Sequence, residues 1–287
     1  MSAVVNVNGE ITDERHAVIS VFDHGFLYGE GVYETLRTYR QQPFLLDRHL
    51  KRLRRSASLM ALGVPLSDRE LTDRIARTVT QAAAGSAEGE WYVRVLLTRG
   101  VGDLTYDPAA TPVPSVVVIV KPLGVLPETA YENGVRAIIS SVVRNHPDTV
   151  NPAIKANNLM NNALAMQEAV RRGAFEAIMR NHRGEIAECS TANLFVVKDG
   201  AALTPSLNAG LLPGITRELV FEIGESAGIA VREATLVDAD LFASDEMFLT
   251  STTREILPIV GIDGREIGSG RPGAVTRRLH AEYRRRT

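Results

Sequence analysis

The segment IKANNLMNNALAMQEA, residues 154–169, places one lysine, Lys155, immediately before a run with helical spacing. Four asparagines, Asn157, Asn158, Asn161 and Asn162, fall in its first two turns, and Leu159, Ala163, Met166 and Val170 form the face expected to pack inward. A lysine is normally a solvated surface residue. This one stands beside apolar Ile154 and neutral amides rather than among carboxylates. Desolvation in such a setting favours a free, nucleophilic amine able to form a Schiff base.

The chain around it has 287 residues, 45% hydrophobic and 23% charged, enough for two modest domains or one large one. Lys plus Arg number 32 against 34 for Asp plus Glu, so no long-range field draws nucleic acid or an anionic membrane. A small-molecule partner is expected. The single cysteine, Cys189, cannot form an internal disulfide, and the six histidines show no metal-ligand spacing, so a reducing, cytoplasmic setting without a bound metal is expected. The opening MSAVVNVNGEITDERH lacks the features of a signal peptide, and no window approaches the roughly 18 apolar residues of a membrane span.

Short runs rich in Val, Ile and Phe read as strands: AVISVFDHG, YVRVLLTRG, SVVVIVKP, VRAIISSVVR, NLFVVKDG and EMFLTSTT. Between them, Leu50, Leu53, Ala57 and Met60 share one helical face with a stop at Gly63, and Leu71, Ile75 and Val79 share another. Strands in groups, rather than strict alternation with helices, predict an α+β arrangement of largely antiparallel sheets. The prolines and glycines of KPLGVLPETAYENG predict a linker over residues 121–133 between a small domain, 1–120, and a larger one, 134–287, carrying the lysine.

Two motifs fail in context. GESAG, residues 224–228, matches a serine-hydrolase elbow at Ser226, with Asp238 and His280 following in order. The elbow must join a strand to a helix, whereas Leu219, Val220 and Ile223 predict a helix running out into a glycine stop. GSGRPG, residues 268–273, resembles a dinucleotide loop, but Pro272 removes a backbone N–H and no βαβ unit follows.

A lysine that holds pyridoxal 5'-phosphate needs a carboxylate for the pyridine nitrogen and donors for the phosphate. GEIAECSTANLF offers Glu188, LLPGITREL opens a helix at Gly214, Ile215 and Thr216, TSTTREI offers a second run of hydroxyls, and HLKRL offers Arg52. By spacing alone Arg52 sits on a solvated, arginine-rich helix face and Cys189 is a small buried residue.

Together with FDHGFLYGEGVYE, RHLKRLRRSA, YVRVLLTRGVGDLTYDP and TSTTREILPIVGIDG, these stretches resemble, in order and over nearly the whole chain, the class IV (fold-type IV) pyridoxal-phosphate aminotransferases. That group includes branched-chain aminotransferases, D-amino-acid transaminases and aminodeoxychorismate lyase. The resemblance implies two α/β domains, the second a pseudo-barrel, with pyridoxal 5'-phosphate at their junction. It implies Lys155 as the covalent anchor and proton shuttle and Glu188 at the pyridinium nitrogen. Arg52, the backbone of Ile215, the backbone and hydroxyl of Thr216, and Thr252 are implied as phosphate ligands. It further implies a homodimer in which the RGVGDLTYDP loop closes the neighbouring site.

The substrate signals divide. WYVRVLL matches a Tyr-x-Arg pattern of branched-chain enzymes, which would set Tyr92 in the pocket and Arg94 on the side-chain carboxylate of glutamate; with the partner loop, this favours a branched-chain L-amino acid and 2-oxoglutarate. GVYET carries Tyr33 and Thr35 where such enzymes usually have Phe and Gly, and TSTTREI, with Thr253, replaces a usual Gly-Thr-Ala. Those changes resemble D-amino-acid transaminases, although the Arg-x-His trap of that group is absent. Leu159 and Met160 stand where a cofactor-facing tyrosine is common. A D-amino-acid or (R)-amine transaminase is therefore the alternative within the fold. A serine hydrolase and a non-catalytic 2-oxo-acid- or phosphate-binding module are the alternatives outside it.

Overall fold

A computed structural model of the chain describes residues 3–84 and 89–287, and the chain divides into two compact units. One comprises Met1–Gly124 with Ile154–Asn158; the other comprises Val125–Ala153 with Leu159–Thr287. Among the described residues no helix is long and apolar enough to cross a membrane.

The first unit runs β1 (Val4–Val7), β2 (Glu10–Asp13), α1 (His24–Leu27), β3 (Gly31–Tyr39), β4 (Gln42–Pro43), α2 (Leu46–Leu59), α3 (Asp68–Ala83), β5 (Trp91–Thr98) and β6 (Ser115–Pro122). The strands form an antiparallel sheet in the order β2-β1-β6-β5-β3-β4. Period-two alternation turns Val32, Leu36, Val93, Val95, Val118 and Val120 to one face, where they meet the predicted helical stripes Leu50, Leu53, Ala57 and Leu71, Ile75, Val79. Burying each such side chain is worth about 1.5–3 kcal/mol. Ser67 and Glu70 close a capping box at the start of α3. The same alternation sends Tyr33, Thr35 and Arg37 to the other face, where the register sets Thr35 opposite Arg94 and Arg37 opposite Tyr92.

Two expectations fail in this unit. Residues 17–22 form no strand: Val18, Ile19, Val21 and Phe22 are exposed, so the apolar run has no sheet neighbour to pair with. Helix α2 ends before Gly63, because Ala61 already adopts the left-handed conformation at φ 48°.

The second unit runs α4 (Glu128–Asn133), β7 (Val135–Ile139), α5 (Met160–Arg171), β8 (Glu176–Arg180), β9 (Ile186–Cys189), β10 (Asn193–Lys198), β11 (Ala201–Pro205), α6 (Ile215–Ala227), β12 (Val231–Ala234), α7 (Asp238–Phe242), β13 (Glu246–Ser251), β14 (Glu255–Ile262), β15 (Arg265–Glu266) and α8 (Ala274–Arg285). Its sheet has the order β12-β11-β10-β13-β14-β7-β8-β9, with β15 beside β14. Three pairs, β11 with β12, β14 with β7 and β7 with β8, are parallel; α5 lies in the crossover between β7 and β8, and α6 in that between β11 and β12. At one end of the order, β9 touches β10 and β11, so the sheet curls back on itself.

The stretch expected as a linker is partly structured, since β6 reaches Pro122 and α4 occupies Glu128–Asn133. The face of α5 also differs from expectation. Ala163 and Val170 are exposed, while Ala165 and Ala169 are buried against Ile138, Ala177 and Met179, with Met166 alongside. Small residues let the helix lie close to its sheet.

Candidate active site

Although read with the second domain, Lys155 lies in a segment that packs with the first unit. The Tyr33 N–H donates to the Lys155 carbonyl at 2.9 Å, the Asn157 N–H to the Gly31 carbonyl at 2.8 Å, and the Lys155 N–H to Ser56 Oγ at 3.1 Å. A short bridge between Val32 and Ala156 completes the pairing. Gly31 permits it, because a Cβ there would stand 2.7 Å from the Leu97 carbonyl oxygen and 2.4 Å from Asn157 Nδ2. The lysine is thus held by its backbone along the edge of β3.

Its Nζ lies 3.5 Å from the Tyr33 hydroxyl and 4.4 Å from the centre of that ring. The Arg94 guanidinium carbon is 4.0 Å from the same ring centre, and Tyr92 reaches Thr35 Oγ1 at 3.4 Å. Lys155, Tyr33, Thr35, Tyr92 and Arg94 are therefore brought together. Each cation gains about 0.5–2 kcal/mol from the aromatic face. Neither Lys155 nor Arg94 has an ion-pair partner among the described residues; each instead lies against the Tyr33 ring.

Arg52 stands elsewhere in this unit and departs from the solvated position that its spacing suggests. Alternation along β3 turns Glu34 towards α2, and Arg52 grips it through Nε and Nη2, both at 2.7 Å, while His49 Nδ1 meets Glu34 Oε2 at 2.7 Å. All three side chains are buried. Burial pushes Glu34 upward, but the Arg52 charge and the hydrogen bonds from Arg52 and His49 outweigh it and bring the carboxyl to about 2. Burial pushes His49 below its ordinary value, against the pull of Glu34.

In the second unit Glu188 sits on β9 with 4% of its surface exposed. Arg144 Nε donates to its Oε1 at 2.8 Å; Asn193 Nδ2 and the Leu212 N–H donate to Oε2 at 3.3 and 3.2 Å. Arg144 also donates to Asn161 Oδ1 at 3.0 Å, and Asn193 to the Leu212 carbonyl at 2.9 Å. The loop that opens α6 is thereby tied to the glutamate. Gly214 allows this approach: a Cβ would fall 1.9 Å from Asn193 Oδ1. Helix α6 has no side-chain cap, and Ile215 and Thr216 in its first turn are buried. First-turn N–H groups lack intrahelical partners and favour an anion. Thr252 and Thr253 lie half-buried in the turn between β13 and β14.

Arg144, Asn161 and Asn193 gather around Glu188 at the candidate site, and the sequence reading missed all three. Arg144 and Glu188 are 44 positions apart, and nothing local marks a buried arginine as a partner. The hydrolase constellation does not assemble. Ser226 is exposed and bonds the Glu222 carbonyl, His280 bonds Glu255, and Asp238 bonds Arg180, while GESAG ends α6 with Gly228 at φ 64°. Cys189 is fully enclosed, and burial raises its thiol well above the ordinary range, which leaves it inert at neutral pH.

The family model for amino-transferase class IV matches residues 31–262. The chain is 38% identical to a Methanocaldococcus jannaschii protein assigned by name to the branched-chain-amino-acid aminotransferases, over 98% of this chain and 95% of that one. It is 34% identical to the D-alanine aminotransferase of Listeria monocytogenes, over 97% and 94% of the two chains. Among solved structures, the branched-chain aminotransferase of Thermoproteus uzoniensis with norvaline superposes with a TM-score of 0.90 at 34% identity, covering 99% of this chain and 94% of that one. This chain belongs to the class IV aminotransferases, a family of pyridoxal-phosphate-dependent transaminases.

Proposed function

We propose that this enzyme moves the amino group of a branched-chain L-amino acid to 2-oxoglutarate, with Lys155 as the covalent anchor of pyridoxal 5'-phosphate. The donor chemistry fits that cofactor: an amine with a hydroxyl but no acid partner, a buried and oriented carboxylate, and an uncapped helix N-terminus with a buried threonine. Glu188 would hold the pyridine nitrogen, and Arg52, Ile215, Thr216 and Thr252 the phosphate. When bound, the cofactor supplies the electron sink that makes the substrate Cα–H acidic. Lys155 takes that proton at Nζ and returns it, and the Tyr33 hydroxyl at 3.5 Å steadies the amine between transfers. Arg144 shares the charge of Glu188 and fixes its direction.

One observation carries the substrate assignment. Arg94 stands beside Lys155 on the Tyr33 ring without an acid partner among the described residues, which suits the side-chain carboxylate of glutamate. Tyr92 and Thr253 would line the remaining pocket. The Tyr33 hydroxyl beside Lys155 favours a second reading, a D-amino-acid or (R)-amine transaminase. A panel of L-amino acids, D-amino acids and (R)-amines, scored by loss of the yellow colour of the loaded enzyme, separates the two. Leucine and L-glutamate should bleach it; response to D-alanine alone would overturn the first reading.

A homodimer completes the proposal. Val18, Ile19, Val21, Phe22 and Phe26 are exposed, as are Val101, Leu104, Tyr106 and Val113, and the bridge between Asp23 and Val101 joins the two groups. An apolar surface of this kind marks a protein contact, and it includes the loop expected to reach a neighbouring site. The buried single thiol suits a reducing, cytoplasmic setting.

A further inference from the structure

The second unit contains a buried ion pair that the transamination chemistry does not use. Glu176 on β8 is fully buried, and its carboxylate accepts from the Ala177 N–H at 2.9 Å, Thr191 Oγ1 at 2.6 Å, Arg254 Nη1 at 3.1 Å and the Ser190 hydroxyl. Arg254 does more than neutralise it. Nη2 donates to the Thr191 carbonyl at 3.0 Å, and the Arg254 N–H and Nε donate to Ser251 Oγ at 3.3 and 3.2 Å. One planar guanidinium therefore fastens the turn at residues 251–254 to the turn at residues 190–192, and anchors both on a carboxylate beneath them.

Both turns adjoin residues of this unit to which a role is proposed. Glu188 lies just before one of them, and Thr252 and Thr253 form the middle of the other. The far side of the second turn is fixed as well. Glu255 adopts the left-handed conformation at φ 56°, which a glutamate rarely takes, and its carboxylate is bonded by His280 at 2.8 Å and by Arg284 at 3.0 Å. The Thr252–Thr253 turn is thus held by the Arg254 fork and followed at once by a left-handed Glu255 that His280 and Arg284 fix in place.

We propose that Arg254, acting through Glu176, is a positioning residue that presets the Thr252–Thr253 turn to receive the phosphate and substrate-carboxylate oxygens. It touches neither group itself. The inference rests on the reading of Thr252 and Thr253 given under Proposed function. Lysine at this position would supply charge without the fork, so it could neutralise Glu176 but not hold Thr191 and Ser251 together.

The test is a titration of apoenzyme freed of pyridoxal phosphate with that cofactor, followed by absorbance, alongside steady-state kinetics and thermal unfolding for wild type, Arg254→Ala, Arg254→Lys and Glu176→Gln. Arg254→Ala should weaken cofactor binding and raise KM for the amino acid, each about ten- to a hundredfold, with a smaller change in kcat. Arg254→Lys should restore the melting temperature more fully than it restores cofactor affinity. If Arg254→Ala does not fold, Arg254→Lys and Glu176→Gln carry the same comparison, and both should show weakened cofactor binding. Wild-type affinity and KM in the folded variants, with only a lower melting temperature, would overturn the proposal and leave a purely structural ion pair. Wild-type protein that takes up no pyridoxal phosphate would overturn the underlying reading together with it.

Discussion

Arg144 Nε lies 2.8 Å from Oε1 of Glu188, and both side chains are buried. Removing one partner of a buried pair leaves the other charge uncompensated, at a cost of about 3–5 kcal/mol. Arg144→Ala should therefore lower the unfolding free energy by that order and reduce kcat at least tenfold, because Glu188 loses the guanidinium bonded to its Oε1 while the Asn193 and Leu212 donors on Oε2 remain. Chemical denaturation and steady-state kinetics check this. Wild-type values in both would show that the pair does not support the carboxylate.

Arg94 is placed for an anionic side chain, and a charge-assisted hydrogen bond is worth about 1.5–3 kcal/mol. Arg94→Ala should lower kcat/KM for glutamate roughly tenfold to a hundredfold while changing leucine far less. Equal losses for the two amino acids would remove Arg94 from substrate selection.

The Glu34, His49 and Arg52 cluster predicts acid sensitivity with a definite sign. His49 has its folded value lowered by burial, so the unfolded chain binds its proton more readily and stability declines as pH falls below about 6.5. Glu34 falls from 4.5 to about 2 on folding, so its contribution, on the order of 3 kcal/mol, is present above 4.5 and lost as pH falls towards 2. Urea unfolding across this range should show both declines, and His49→Gln should remove the upper one. Stability that is flat from pH 7 to 3 would contradict the network.

If the exposed apolar groups around Phe22 and Leu104 form a contact between copies of this chain, Phe22→Asp with Leu104→Asp should shift the protein towards monomer in sedimentation velocity. Activity should fall with the dimer fraction. A wild-type protein that is monomeric at micromolar concentration would overturn the dimer.

Helical stripes and alternating strands were legible because one residue type repeats at one spacing: Leu50, Leu53 and Ala57 are buried as their period requires, as are Leu71, Ile75 and Val79. Lys155 stood out through its neighbours, and its companions through family resemblance. Long-range pairing was not legible. Arg52 reads as a surface arginine until β3 places Glu34 beneath it, and Arg144, Arg254 and Glu176 gain meaning only when distant strands meet. The run at residues 17–22 misled for the opposite reason, since its apolar residues are exposed yet follow one another as those of a strand do.

The chain has four lysines, Lys51, Lys121, Lys155 and Lys198, so covalent attachment can be assigned without ambiguity. Borohydride reduction of the protein loaded with pyridoxal phosphate, followed by peptide mass mapping, tests the central claim most directly. A phosphopyridoxyl group on the peptide containing Lys155, absent from Lys155→Ala protein that still binds the phosphate, is the predicted result. Stoichiometric label on Lys51, Lys121 or Lys198, or turnover retained by Lys155→Ala, would contradict it.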